Sequence, residues 1–271
     1  MLKGLIHNLN VSGNLKGSFS QKARVFFTLV RFQVKNKFKR KSAVIRENFF
    51  GYKVKGYDYS ALSFLFHEVF ISNEYYFQSA PKQPVIIDCG ANIGMSVLYF
   101  KKLYPQSKII AFEANPSAFK LLESNILDNK LHNIELHNTA LYDKETDISF
   151  FAGERQGSLV ASIQKERGGL GEMKVRAEKL SSYLKNLDSV DLVKMDVEGA
   201  ELNIVDDLIE SQAISKPKEY IIEYHHNIGE HRDGLAAFLQ KFESHGFRYN
   251  IRAEYQNANP SQDILIHFYK K

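Results

Sequence analysis

From residue 84 onward, short runs that are apolar throughout alternate with longer stretches in which hydrophobic residues recur every three to four positions. Continuous apolar runs suit strands covered on both faces, and the 3.6-residue period marks amphipathic helices. The pattern predicts strands over 85–88, 108–113, 134–137, 190–196 and 220–224, with helices over 94–104, 116–128, 200–210 and 234–245. Asn115 is placed to cap the helix that Pro116 begins, and Gly246 follows the last helix as its stop. Two further strands, 247–252 and 263–269, follow without room for a helix between them, which implies an antiparallel edge on an otherwise parallel sheet. The whole reads as an α/β fold with helices on both faces of one sheet.

Two stretches break this rhythm. Residues 57–78 are crowded with aromatics and read as a strand or helix leading into the fold. Between 147 and 177, Gly153, Gly157, Gly168, Gly169 and Gly171 suggest a loop or lid bracketed by two extra strands, the alternative being a plain surface insertion.

Charge sharpens the picture at the N-terminus. Residues 1–55 hold 13 Lys and Arg against one acid, Glu47, whereas the whole chain of 271 residues is only +5. A basic arm (1–55), a lead-in segment (56–84) and a main domain (85–271) are therefore expected. Within the arm, Ala23, Phe26, Phe27, Val30 and Val34 share one helical face, with Arg24, Arg31 and Lys35 opposite and a basic run from Lys35 to Lys41 behind them. This arrangement suits the surface of an anionic membrane. Nucleic acid phosphates are a lesser choice, and packing of the helix on its own domain is the plain alternative.

Composition then excludes several classes. At 44% hydrophobic and 25% charged residues the chain has material for a core. With Cys89 alone there is neither an internal disulfide nor a multi-cysteine zinc site. No run approaches the ~20 apolar residues of a membrane span, and the first 20 residues lack the apolar core of a signal peptide. A cytoplasmic protein, peripheral on the inner face of the membrane, is the expectation.

In open α/β sheets ligands bind at the carboxyl ends of strands. The first strand ends VIIDCGANIG, with Asp88, Gly90, Asn92 and Gly94. A dinucleotide loop would have glycine where Asp88 and Ile93 stand, so that reading fails. A carboxylate at the turn would repel a pyrophosphate but attract a cofactor carrying ammonium and sulfonium charge, as S-adenosylmethionine does. Gly90 would let the backbone approach the ligand, and the helix start near Gly94 would face its carboxylate. The second strand ends at Glu113, 25 positions after Asp88, where an acid can accept ribose hydroxyl protons. Helix capping by the two acids is the alternative.

At these residues the sequence resembles the FkbM-type S-adenosylmethionine-dependent methyltransferases. The segments that carry the resemblance are VIIDCGANIG (85–94), AFEANP (111–116), NTALYD (138–143), VDLVKMDVEGAE (190–201) and IIEYHH (221–226), in the family's order, over roughly residues 75–271. The resemblance implies a class I, Rossmann-like methyltransferase fold: a mostly parallel seven-stranded sheet with helices on both faces and an antiparallel last strand. It implies that Asp88, Gly90, Asn92 and Gly94 hold the methionine end, that Glu113 holds the ribose, that Asn138, Thr139 and Ala140 flank the adenine, and that Asn115 belongs to the same cofactor-binding set.

The fourth strand ends KMDVEGAE and the fifth IIEYHH, so Asp196, Glu198 and His225 are expected to converge. An alcohol hydroxyl is too weak an acid to be an anion at neutral pH, and its methylation needs a base. His225 is favoured, with its ordinary pKa of ~6.5, and Asp196 or Glu198 would orient it or bind substrate. A strand-end histidine with no chemical role, and Glu198 and Glu201 as acids at a helix start, are the alternatives. A divalent cation held by Asp196, Glu198 and His225 would be a second way to acidify a hydroxyl. His231 and Arg232 are read as surface residues that could touch a polar substrate. The expected function is O-methylation of a sugar hydroxyl in a glycan, glycolipid or polysaccharide precursor. Its rivals are an RNA 2′-hydroxyl methyltransferase and a silent scaffold with a cofactor fold.

Overall fold

The computed structural model describes residues 2–15, 17–38, 44–152, 161–162, 169, 171–228, 234–253 and 262–270. The chain forms two compact units, residues 1–74 and 75–271. The glycine-rich stretch expected as a lid falls largely outside the described residues, as do Lys39, Arg40 and Lys41 of the basic run, His231 and Arg232.

The first unit contains α1 (Leu2–Gly13), α2 (Phe19–Phe38), a hairpin of β1 (Ile45–Phe49) and β2 (Tyr52–Gly56), and α3 (Tyr59–Phe66), which runs into a π-helical turn over His67–Ile71. The lead-in aromatics thus form a helix, started by Asp58, whose side chain accepts the Ala61 amide at 2.8 Å. Phe49 pairs directly with Tyr52, so Phe50 and Gly51 are a two-residue turn and both take positive φ. Phenylalanine is an unusual residue there. Its ring stacks on Phe66 at 5.6 Å, and packing holds the strained backbone. The buried stripe of α2 is Val25, Thr28, Leu29 and Phe32. This corrects the face expected from the sequence, since Phe27 and Val34 are exposed. Arg31 and Lys35, whose side chains are 40 and 45% exposed, nonetheless pair with the buried carboxylate of Glu47 on β1, at 2.9 and 2.6 Å.

The second unit is built on a seven-stranded sheet: β3 (Val85–Cys89), β4 (Lys108–Phe112), β5 (Ile134–His137), β10 (Val190–Met195), β11 (Pro217–His226), β12 (Arg248–Ala253) and β13 (Gln262–Tyr269). Its spatial order is β12-β13-β11-β10-β3-β4-β5. Six of the strands run in one direction, and β13 alone runs antiparallel, to both its neighbours. The antiparallel strand is therefore inserted between β11 and β12 rather than forming the edge. Helices α4 (Met95–Leu103), α5 (Pro116–Asp128), α6 (Leu180–Leu184), α7 (Glu201–Glu210) and α8 (Leu235–Glu243) make the crossovers and side layers. Every residue of β10 is buried, as a strand covered on both faces requires. Side chains such as Ile87, Val193, Ile204, Ile222, Phe238 and Phe268 form the core with it.

Between β5 and α6 the chain makes a second, four-stranded sheet in the order β6-β9-β7-β8, from β6 (Ala140–Leu141), β7 (Thr146–Ala152), β8 (Ala161–Ser162) and β9 (Gly171–Glu178). The expected bracketing pair of strands is β7 and β9, antiparallel over seven residue pairs.

Candidate active site

The central strands β4, β3 and β10 end side by side, in register, and bring the predicted cofactor residues together. Gly90 has φ +82°, and a Cβ there would lie 1.8 Å from the Asp196 carbonyl oxygen. The glycine is needed because the loop after β3 lies against the chain leaving β10, a reason different from the ligand approach expected of it. Gly94, also at positive φ, is the N-cap of α4 and sits against Leu122.

Glu113 follows β4 and is almost buried. Its two carboxylate oxygens accept the amides of Asn92 and Asn115 at 2.8 and 2.7 Å, which braces the first loop against the second. Burial pushes its carboxyl up to about 7, against the lowering effect of those amides. Each oxygen keeps a lone pair for a ribose hydroxyl.

Other predicted residues are committed within the fold. Asp88 is 0% exposed. It accepts from Ser96 Oγ at 2.5 Å and pairs with Lys194 Nζ at 3.2 Å, so its charge is matched internally rather than turned toward a ligand ammonium. The side chain of Asn115 caps α5 through the Ser117 amide, 2.9 Å away. Asn138 donates to the Glu113 carbonyl at 2.8 Å and ties β5 to β4. Thr139 is buried and donates to the Arg176 carbonyl at 2.7 Å, and Ala140 lies in the small core of the second sheet with Phe150, Val175 and Ala177. Of that trio, Asn138 is the most accessible at the strand end.

On the acceptor side the predicted trio does converge. The His225 ring, buried at the end of β11, places Nε2 3.2 Å from Glu198 Oε2 and 3.9 Å from Asp196 Oδ1. Asp263 Oδ1 on β13 is also 3.9 Å away. Nδ1 meets Glu201 Oε1 at 2.6 Å. Burial alone would raise the Glu201 carboxyl, but the charge and hydrogen bond of His225 outweigh it and hold the group below its usual range. Glu201 is then an anion and an acceptor, so Nδ1 donates to it, and Nε2 faces the carboxylates of Glu198 and Asp196. Nearby, burial and the charge of Asp196 push the Glu223 carboxyl well up. The D-V-E-G turn that carries this site is strained: Glu198 takes φ +56° and Gly199 φ +110°, and the Ser162 hydroxyl donates to the Glu198 carbonyl. The ligand atoms of Asp196, Glu198 and His225 lie within 4.8 Å of one another, close enough to hold a metal ion.

Two further residues contact this set: Glu201, which the sequence marks only as a helix-start acid, and Lys194, to which the motifs above assign no role. The signal for Lys194 was present: a lysine inside the apolar run VDLVKM must find a carboxylate in a neighbouring strand.

The arrangement fits S-adenosylmethionine by its donor set, with a buried carboxylate at the end of β4, a loop that begins and ends in glycine and acids at the neighbouring strand ends. The comparisons agree. Methyltransferase 1 of Beauveria bassiana is 29% identical over 167 residues, covering 53% of this chain and 66% of that one. Methyltransferase sdnD of Sordaria araneosa is 30% identical over 173 residues, 52% of this chain and 67% of that one. The chain thus spans about two thirds of the length of these fungal relatives. The 2-O-methyltransferase NoeI of Sinorhizobium fredii is 28% identical over 138 residues, 45% of this chain and 56% of that one. The methyltransferase FkbM domain matches residues 88–249, which include the loop after β3, Glu113, Asp196, Glu198 and His225. The chain therefore belongs to the FkbM methyltransferase family, the S-adenosylmethionine-dependent group that its strand-end motifs resemble.

Proposed function

We propose that this protein methylates a hydroxyl oxygen of a sugar-type acceptor, with His225 as the general base. The observation that carries the reading is the Glu201–His225–Glu198/Asp196 array at the ends of β10 and β11, with Glu201 almost buried and Asp196 25% exposed, β10 being the strand beside the β3 that carries the cofactor loop. S-adenosylmethionine supplies an electrophilic methyl group on a sulfonium. Asp196 and Glu198 are placed to hold the acceptor hydroxyl, and Nε2 of His225 takes its proton as the oxygen attacks. The imidazolium so formed lies between Glu201 on one side and Glu198 and Asp196 on the other, which stabilises its charge. Positioned bases of this kind contribute roughly 10²–10⁴-fold. Transfer to oxygen is supported by the acid-rich D-V-E-G turn and by the resemblance to a 2-O-methyltransferase.

The test is transfer of labelled methyl into cell extract fractionated into glycolipid, soluble glycan, RNA and protein. The wild-type chain is expected to label a glycan or glycolipid pool. His225→Ala should bind S-adenosylmethionine within about threefold of wild type while turnover falls at least about 10²-fold. Label confined to RNA would make the acceptor a 2′-hydroxyl, and no label would favour a silent scaffold. Because Asp196, Glu198 and His225 could also coordinate a cation, the assay is repeated in EDTA. Activity lost in EDTA and restored by Mn²⁺ would move the acidifying role from the imidazole to a metal.

We also propose that the first unit contacts an anionic membrane. Phe19, Phe27 and Phe38 on α2 are exposed, the first and last at 88% and 81%, beside Lys37. No helix among the described residues is long and apolar enough to cross a membrane.

A further inference from the structure

We propose that Lys194 is a positioning residue for methyl transfer: its buried ammonium joins the loop after β3 to Asp196 at the end of β10 and so fixes the strand-end acids of the site relative to one another. The proposal deepens the reading above and rests on it for the cofactor's place at Glu113 and the loop.

Lys194 is paired with Asp88 across adjacent parallel strands, so the two side chains rise from the same face of the sheet. Its ammonium lies 3.2 Å from Asp88 Oδ1, 2.6 Å from the Gly90 carbonyl oxygen and 3.8 Å from Asp196 Oδ2. The Cys89 carbonyl is 3.4 Å away, and the Tyr75 ring lies 5.2 Å from Nζ. The polar contacts of this lysine are two carboxylates and two backbone carbonyl oxygens, the acceptors that suit an ammonium.

That cation does two things which a hydrophobic side chain could not. It holds the Gly90 carbonyl and Asp196 at the point where a Cβ on Gly90 would clash, which fixes the cofactor loop relative to the acceptor side. With Asp196 held through Oδ2, its Oδ1 faces His225. The same charge lowers the carboxyl of Glu113, where Asp196 acts to raise it. Without it, Asp88 and Asp196 would stand at adjacent strand ends with no cation between them, and the Glu113 carboxyl would lose the charge that lowers it.

The experiment compares the full chain with Lys194→Met and Lys194→Gln. In ligand-free protein, ¹³C NMR of the glutamate carboxyls, with Glu113 assigned through Glu113→Gln, follows its titration. Its midpoint is expected to rise by about half a pH unit or more in both variants. Calorimetry should show S-adenosylmethionine affinity about tenfold weaker at pH 7 and recovering toward higher pH, and kcat should fall as well as affinity. A purely structural lysine would lower Tm yet leave midpoint, affinity and kcat in place. An unmoved Glu113 midpoint, with affinity and kcat within about twofold of wild type in a variant with native circular dichroism, overturns the proposal. Should Lys194→Met not fold, Lys194→Gln decides by the same readings, since it keeps a donor for Gly90 and loses only the charge. Absence of cofactor binding by the wild-type chain would remove the methyl-transfer reading, while the Glu113 midpoint, read without cofactor, still judges Lys194.

Discussion

Glu113 shows how one buried side chain sets a working pH. Its carboxyl accepts two backbone amides, and burial raises it to about 7. An ionised group has lone pairs for both ribose hydroxyls, whereas a protonated one gives up part of that capacity. Cofactor affinity should therefore rise with pH through about 7. In Glu113→Gln the rise should vanish and affinity should fall about tenfold, as calorimetry between pH 6 and 8.5 would show. Stability carries the opposite sign. A folded-state pKa above the ordinary 4.5 contributes stability that is complete below that value and lost as pH rises through about 7. Glu113 can be singled out in the sequence because its position at a strand end is a local property. The sequence could not show that the carboxylate would brace two loops, since the Asn92 amide comes from a different strand's turn.

The element most easily misread is α2. Its sequence FSQKARVFFTLVRFQVKNKF carries apolar residues on more than one face, so periodicity alone leaves the docking side open. The β1–β2 hairpin and α3 settle it. Phe32 is fully buried and meets Phe66 and Phe49 edge-on at 5.6 and 6.0 Å, while Phe27 stays 66% exposed. Phe32→Ala should cost about 3–5 kcal/mol in the first unit, and Phe27→Ala less than about 0.5 kcal/mol. Thermal melts by circular dichroism would separate the two. Glu47 explains why part of the arm's positive charge is not free for a partner, because Arg31 and Lys35 are both paired with it. A buried acid under two cations is an internal anchor, and the run of basic residues in the sequence gives no hint of it.

For the molecule as a whole, the exposed phenylalanines of α2 and the net positive charge of residues 1–55 lead to one measurable expectation. The chain should sediment with vesicles of mixed phosphatidylglycerol and phosphatidylcholine, and binding should drop about tenfold when Phe27 and Phe38 are both changed to Ala. Binding to neutral vesicles of equal strength would count against a role for the charge. The seven strands of the main sheet, helices α4, α5, α7 and α8, and the convergence of Asp196, Glu198 and His225 were legible in the linear order of residues, whereas β6, β8 and α6 were not. Apolar period, strand-end acids and capping residues act over a few positions and need no partner to be read. The pairing of Lys194 with Asp88, the matching of Lys194 to a Gly90 carbonyl 104 residues away and the insertion of β13 between β11 and β12 were not. Those features arise from cross-strand register and burial, which raise the energy of any unmatched charge and so dictate which distant residues must meet.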